Sequence, residues 1–190
     1  KKKYKKYKFF NIIGMGGSAL GTKAIYSFLK FKIKKKFFFF NNLNLKKTIQ
    51  NKKLNIFVSK SGNTLETISN FHSLSKKKKS IFITENKDNY LRIIAEKMKS
   101  EIFEHKDYIG GRYSVLSETG MLPASLMGLN PKKFKRLNHL INNKKFVDKL
   151  ILNVSGILSL YKKKKTNSII LNYDENSQEL FEWYQQLVAE

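Results

Sequence analysis

The chain has 190 residues and a mass of 22.2 kDa, room for one domain of roughly 150 residues and part of another. Hydrophobic residues at 41% and aromatics at 13%, with Gly 10 and Pro 2, exclude disordered, collagen-like and linker classes, and zero cysteine excludes disulfides, thiolate metal sites and a cysteine nucleophile. The formal charge of +24 points to anionic partners, yet Arg92, Arg112 and Arg136 are the only arginines among 38 cations, and base-edge readout favours the arginine fork, which argues against a dedicated nucleic-acid reader.

Strands and helices alternate along the chain. Phe9–Ile13 reads as a first strand, followed by a helix over 19–31. The aromatic run 37–40 has the length of a buried strand. Residues 54–58 form the next, and Leu65, Ile68, Phe71 and Leu74 then recur at helical spacing. A strand over 81–84 precedes a helical face of Leu91, Ile94, Ala95 and Met98, and 101–103 adds a short strand. From 131 to 161 the pattern is helical, 168–172 reads as a new strand, and Asn176 is placed to cap a last helix with Glu179 at the capping-box position. That helix is expected to bury Leu180, Tyr184, Leu187 and Val188. Lysine runs at 76–79 and 162–165 read as solvated connections.

The alternation predicts an α/β fold: a doubly wound, mostly parallel sheet with helices on both faces, flavodoxin-like. The expected division is a first domain over 9–128, a helical connection over 129–165, and the opening strand-helix unit of a second similar domain over 166–190. No apolar stretch approaches the roughly 18 residues of a membrane span, and no secretory leader is read at Lys1. The start without methionine and the finish at Glu190 in mid-helix read as cuts in a longer protein.

Four segments hold candidate chemistry. Gly14-Met15-Gly16-Gly17-Ser18-Ala19-Leu20-Gly21 lies between a strand and a helix, where glycines let an anion approach free amides and the positive end of the helix dipole. A dinucleotide fingerprint competes for this loop but needs an acid about 20 residues on, and the first acidic residue is Glu66. Ser59-Lys60-Ser61-Gly62-Asn63-Thr64 also opens a helix and gathers three hydroxyls, an ammonium and several amides, a donor set suited to a phosphate monoester. A serine-rich helix cap would use the same residues. In Gly110-Gly111-Arg112-Tyr113-Ser114 the paired glycines would let the Arg112 guanidinium swing into a crevice, though a surface arginine after a turn fits equally. Gln186 and Glu190 share one face of the terminal helix. His72, His105 and His139 have no partner at catalytic or metal-ligand spacing, so no metal site is expected.

In order and content these four segments resemble the glucose-6-phosphate isomerase family, over residues 9–190. The two loops alone are similar to the wider sugar-isomerase (SIS) domain superfamily; Gly-Gly-Arg and the Gln-x-x-x-Glu helix add the specificity. The resemblance implies a cytoplasmic, homodimeric, cofactor-free enzyme of glycolysis and gluconeogenesis that interconverts glucose 6-phosphate and fructose 6-phosphate, with no membrane or nucleic-acid partner. It implies that Gly17 and Ser18 line the sugar-phosphate site, that Ser59, Lys60, Ser61 and Thr64 hold the phosphate, that Arg112 stabilises an enediolate, that Gln186 contacts substrate, and that Glu190 is the base moving a proton between C1 and C2. Ser61, Gly62 and Asn63 stand where the family often carries threonines. The family's ring-opening histidine and late lysine fall after the catalytic glutamate, so the 190-residue piece is expected to have little or no activity of its own. The alternative is a SIS module that binds a sugar phosphate for regulation and needs the loops without the base.

Overall fold

Five runs of aliphatic and aromatic residues, bounded by Gly, Ser and Lys, form a single parallel sheet in a computed structural model that describes residues 2–4, 6–43, 53–74 and 79–189. The strands are β1 (Phe9–Ile13), β2 (Lys36–Phe40), β3 (Lys53–Val58), β4 (Ser80–Thr84) and β5 (Glu101–Glu104), in the order β2-β1-β3-β4-β5. All five match the strands read from the sequence to within a residue. The helices α1 (Leu20–Phe28), α2 (Leu65–Leu74) and α3 (Tyr90–Lys97) follow β1, β3 and β4, and 3-10 turns at Gly16–Ser18 and Lys30–Lys32 flank α1. The sheet is doubly wound and its strand order reverses between β1 and β3, the switch point at which such sheets bind ligands.

Both faces are covered, so the central strands are apolar nearly throughout rather than alternating. On one face Phe10, Ile12, Leu54, Ile56, Val58, Ile81 and Ile83 pack with Ala19, Leu126 and Met127; on the other Ile13, Phe57 and Phe82 pack with Phe71, Leu91 and Ala95. One rung of the second face is polar. Asn11 pairs in register with Asn55, and Asn55 with Ser80. Asn11 Nδ2 donates to Asn55 Oδ1 at 2.8 Å, and Asn55 Nδ2 donates to the Leu74 carbonyl at 3.2 Å, which satisfies an orphan carbonyl in the last turn of α2.

After β5, a 3-10 segment Gly111–Leu116 leads into α4 (Glu118–Met127), capped by Ser117 and ended by Gly128 at φ 96°. Pro123 lies inside α4 and cannot donate to the carbonyl four residues back; Thr22 Oγ1 donates to that Thr119 carbonyl at 3.2 Å instead. The proline thereby ties α4 to α1.

The chain divides into two units, Lys1–Pro131 with Asp174–Glu190 and, separately, Lys132–Tyr173. The second carries α6 (Asn138–Ile141) and α7 (Lys144–Lys162), after α5 (Pro131–Phe134). Asn143 caps α7 by accepting from the Phe146 amide at 3.2 Å. The strand expected at 168–172 is not formed: no strand among the described residues pairs with it, and Ile169, Leu171 and Tyr173 are exposed. A short apolar run alone does not make a strand, because the ladder needs a neighbour to take its amides and carbonyls.

The last helix, α8 (Gln178–Ala189), packs within the sheet unit. Its cap differs from the expectation. Asp174, not Asn176, accepts the Asn176 amide at 3.1 Å and opens a 3-10 turn over Glu175–Ser177. Its packed face differs too: Leu180, Tyr184 and Val188 are 36, 45 and 63% exposed, while Glu179 and Glu182 reach Lys23 of α1 at 2.5 and 3.3 Å. Burial raises the Glu179 carboxyl above its ordinary range against the opposing pull of Lys23. Burial acts to lower Lys23, but its hydrogen bonds and charge contacts with Glu179 and Glu182 together outweigh that effect and leave the ammonium raised.

Candidate functional site

The loops at the carboxyl ends of β1, β3 and β5 meet around the switch point. After β1 the chain turns through Gly16–Ser18 into α1, whose cap residue Ala19 offers no side-chain acceptor and whose first turn holds no acid. The first amides of α1 thus lack the usual side-chain cap and lie at the positive end of its dipole. Gly17 is set by close approach: a Cβ there would lie 2.5 Å from the Gly111 carbonyl group and 2.6 Å from Arg112 Cα. Absence of a side chain is what brings the glycine loop against the arginine segment.

Met15, Gly16, Gly17, Ser18, Gly110, Gly111, Arg112, Tyr113 and Gln186 line a cavity of about 550 Å³, within the range of about 300–1,000 Å³ usual for small-molecule sites. Four sequence-predicted residues therefore share one cavity: Gly17, Ser18, Arg112 and Gln186. The Arg112 guanidinium lies over the Tyr113 ring, 5.5 Å from its centroid. Ser114 Oγ donates to the Gly111 carbonyl at 2.6 Å, and Trp183 Nε1 of α8 donates to the Arg112 carbonyl at 3.3 Å, so the arginine segment is fixed at two successive carbonyls.

The hydroxyl-rich loop at β3 lies outside that lining. Ser59 is buried, and its Oγ is 2.8 Å from Thr64 Oγ1 while accepting the Gly62 amide at 3.1 Å. Ser61 Oγ accepts the Asn63 amide at 3.3 Å. Lys60 Nζ donates to the Asp107 carbonyl at 2.7 Å and lies 3.5 Å from Glu85 Oε1. Gly62 has φ +67°, and a Cβ there would fall 1.8 Å from Asn89 Oδ1. Asn63 faces the neighbouring loop, its Oδ1 accepting the Tyr90 amide at 3.0 Å. The departure from a threonine-rich loop thus has a local cause: Gly62 and Asn63 fasten this loop to the start of α3. Glu190 lies outside the described residues.

Sequence reasoning passed over Tyr113 and Trp183 as site residues, although both stand inside segments it singled out. Their signal was only adjacency: each follows or precedes a candidate by one to three positions. Among the described residues no group of three His, Asp or Glu is clustered to hold a metal ion, and no helix is long and apolar enough to cross a membrane.

A doubly wound parallel sheet with donor-rich loops at its switch point is the build of the sugar-isomerase (SIS) class of α/β domains. Solved structures agree at the level of fold. A hypothetical protein from Thermus thermophilus superposes with TM-score 0.78 at 25% identity, covering 98% of this chain and 50% of that one. The C-terminal domain of glucosamine-fructose-6-phosphate aminotransferase from Francisella tularensis does so with TM-score 0.56 at 19% identity, covering 83% and 50%. In sequence, the family described as phosphoglucose isomerase matches residues 3–190, and the chain belongs to that family. Glucose-6-phosphate isomerase of Methanocaldococcus jannaschii is 32% identical over 211 residues, 97% of this chain and 52% of that protein. The enzyme of the same name from Carboxydothermus hydrogenoformans is 27% identical, over 97% and 47%. The chain spans about half the length of these relatives.

Proposed function

We propose that the protein to which this sequence belongs isomerises glucose 6-phosphate and fructose 6-phosphate through an enediol intermediate. The observation that carries the reading is the single cavity where Gly17, Ser18, Arg112 and Gln186 converge. The phosphate dianion is taken by the amides and hydroxyls of Ser59, Ser61 and Thr64, with the sugar lying over Gly17 and Ser18 at the open end of α1. Glu190 removes the proton at C2 of the open-chain aldose and returns it to C1, one carboxylate serving one face of a planar intermediate. Arg112 supplies fixed positive charge where the enediolate oxygen gains negative charge, and Gln186 holds a sugar hydroxyl. The family resemblance supports a homodimer in the cytoplasm, which sedimentation and localisation of the full-length protein would check.

A regulatory module would need the phosphate loop but neither an arginine at the sugar nor a glutamine beside it, and both line this cavity. The discriminating experiment is Glu190→Gln in the full-length protein. Inorganic phosphate should still bind, while exchange of the C2 proton with solvent should fall to background; retained exchange would remove Glu190 as the base.

A further inference from the structure

The functional reading rests the phosphate on the β3 loop, and the resemblance counts Lys60 among its ligands. The Lys60 ammonium is instead committed to protein acceptors, the Asp107 carbonyl at 2.7 Å and Glu85 Oε1 at 3.5 Å. Its backbone is held on the same side: the Lys60 carbonyl accepts from the Glu85 amide at 3.1 Å and from Thr84 Oγ1 at 3.3 Å. Lys87 approaches the other Glu85 oxygen at 3.5 Å, so the carboxylate is shared by two cations.

Asp107 opens the segment that leads to Arg112. That segment turns through the Ile109 amide on the Lys106 carbonyl at 3.2 Å and the Tyr113 amide on the Gly110 carbonyl at 3.0 Å. Ser114 and Trp183 hold its far end, at Gly111 and Arg112. Lys60 holds its near end. Between the two anchors stands Gly110, a residue type that resists displacement least. A charge-assisted bond to a carbonyl is the strong type of hydrogen bond, and here it joins the phosphate loop to the guanidinium-bearing loop.

We propose that Lys60 is a positioning residue that couples the hydroxyl-rich loop to the Arg112 segment, and is not a ligand of the phosphate. The role deepens the isomerase reading and depends on it. It is tested in the full-length protein with Lys60→Met, Lys60→Arg and Glu85→Gln, measuring kcat and KM for fructose 6-phosphate and the inhibition constant of inorganic phosphate. A displaced catalytic group costs on the order of 100-fold in rate, so K60M should lower kcat by about tenfold or more and leave phosphate inhibition within about threefold. K60R should recover most of the rate, because its fork reaches both acceptors. E85Q keeps the carbonyl anchor and should lower kcat only about two- to fivefold, again with phosphate inhibition unchanged. Should K60M fail to fold, E85Q carries the same test.

Three outcomes overturn the proposal: weakening of phosphate inhibition by about tenfold or more in K60M, an unchanged kcat in K60M, or tighter phosphate binding in E85Q as the ammonium is released to the anion. A wild-type protein that neither turns over the sugar phosphate nor binds phosphate would retire the isomerase reading and the coupling with it. The three outcomes above retire the coupling alone.

Discussion

At the carboxyl ends of β1 and β5 the chain turns polar groups toward a cavity: the first turn of α1 has no side-chain cap, and Arg112 lines a cavity of about 550 Å³. At the amino-terminal half of the same sheet it consumes them. Asn11, Asn55 and the Leu74 carbonyl form a chain of hydrogen bonds, and Tyr4 and Lys3 both donate to the Glu101 carboxylate at the start of β5. One rim carries the proposed anion site and the other pairs its side chains among themselves, although both are built from the same five strands. The contrast predicts that substitutions at the first rim will move activity more than stability, and that those at the second will do the reverse.

Arg112→Ala in the full-length protein is the severest test of the first half. On the proposed mechanism, deleting this donor should lower kcat by about 100- to 1,000-fold, and because Trp183 holds the arginine backbone carbonyl, the melting temperature should change little. A variant that unfolded instead would show that the cavity rim is part of the fold's support.

Asn55→Ala tests the other half. Asn55 is fully buried, and removing its amide strands the Asn11 side chain and the Leu74 carbonyl, at about 1–3 kcal/mol for each unsatisfied group. Urea denaturation should show that loss, with KM for the sugar phosphate unchanged. Equal loss of stability and of substrate affinity would mean the two rims are not separable.

How much of this division is legible in the sequence differs between the rims. The five strands follow from short apolar runs between turn residues, and the candidate loops from glycines and hydroxyls placed where strands end, because local composition fixes both. Contacts between distant segments leave no such trace. The α8 face was misread because periodicity registers apolar stripes, whereas the contact with α1 includes Glu179 and Glu182 on Lys23 and Trp183 beside Gly21. Residues 168–172 hold a short apolar run like a strand but find no ladder. Lys60 reads as an anion ligand from its loop alone, and its contacts with Asp107 and Glu85 show only in the fold.

Gly62→Ala sits between the two rims in kind. Its φ of +67° and the 1.8 Å approach to Asn89 Oδ1 make the substitution strained at the backbone by roughly 1–2 kcal/mol and force the cap of α3 to move. Thermal melts should record the strain, and KM for fructose 6-phosphate should rise as the loop loses its seat on α3. A rise in KM with no fall in melting temperature would mean that the loop yields without disturbing α3.

The smallest expected effect is at Glu101. Hydrogen bonds from Lys3 and then Tyr4 hold its carboxyl below the ordinary 4.5 despite partial burial. The unfolded chain therefore binds a proton more readily than the folded one, so the contribution is present above pH 4.5 and disappears as pH falls through the lower folded value. With 38% of the side chain exposed, solvent screening limits the contribution to about 0–1 kcal/mol. Glu101→Gln should leave activity untouched and flatten the stability profile just below pH 4.5, which urea midpoints taken between neutral and acidic buffers would record. An unflattened profile would place the acid sensitivity elsewhere, and a loss of activity would break the separation of the two rims at the residue where it should cost least.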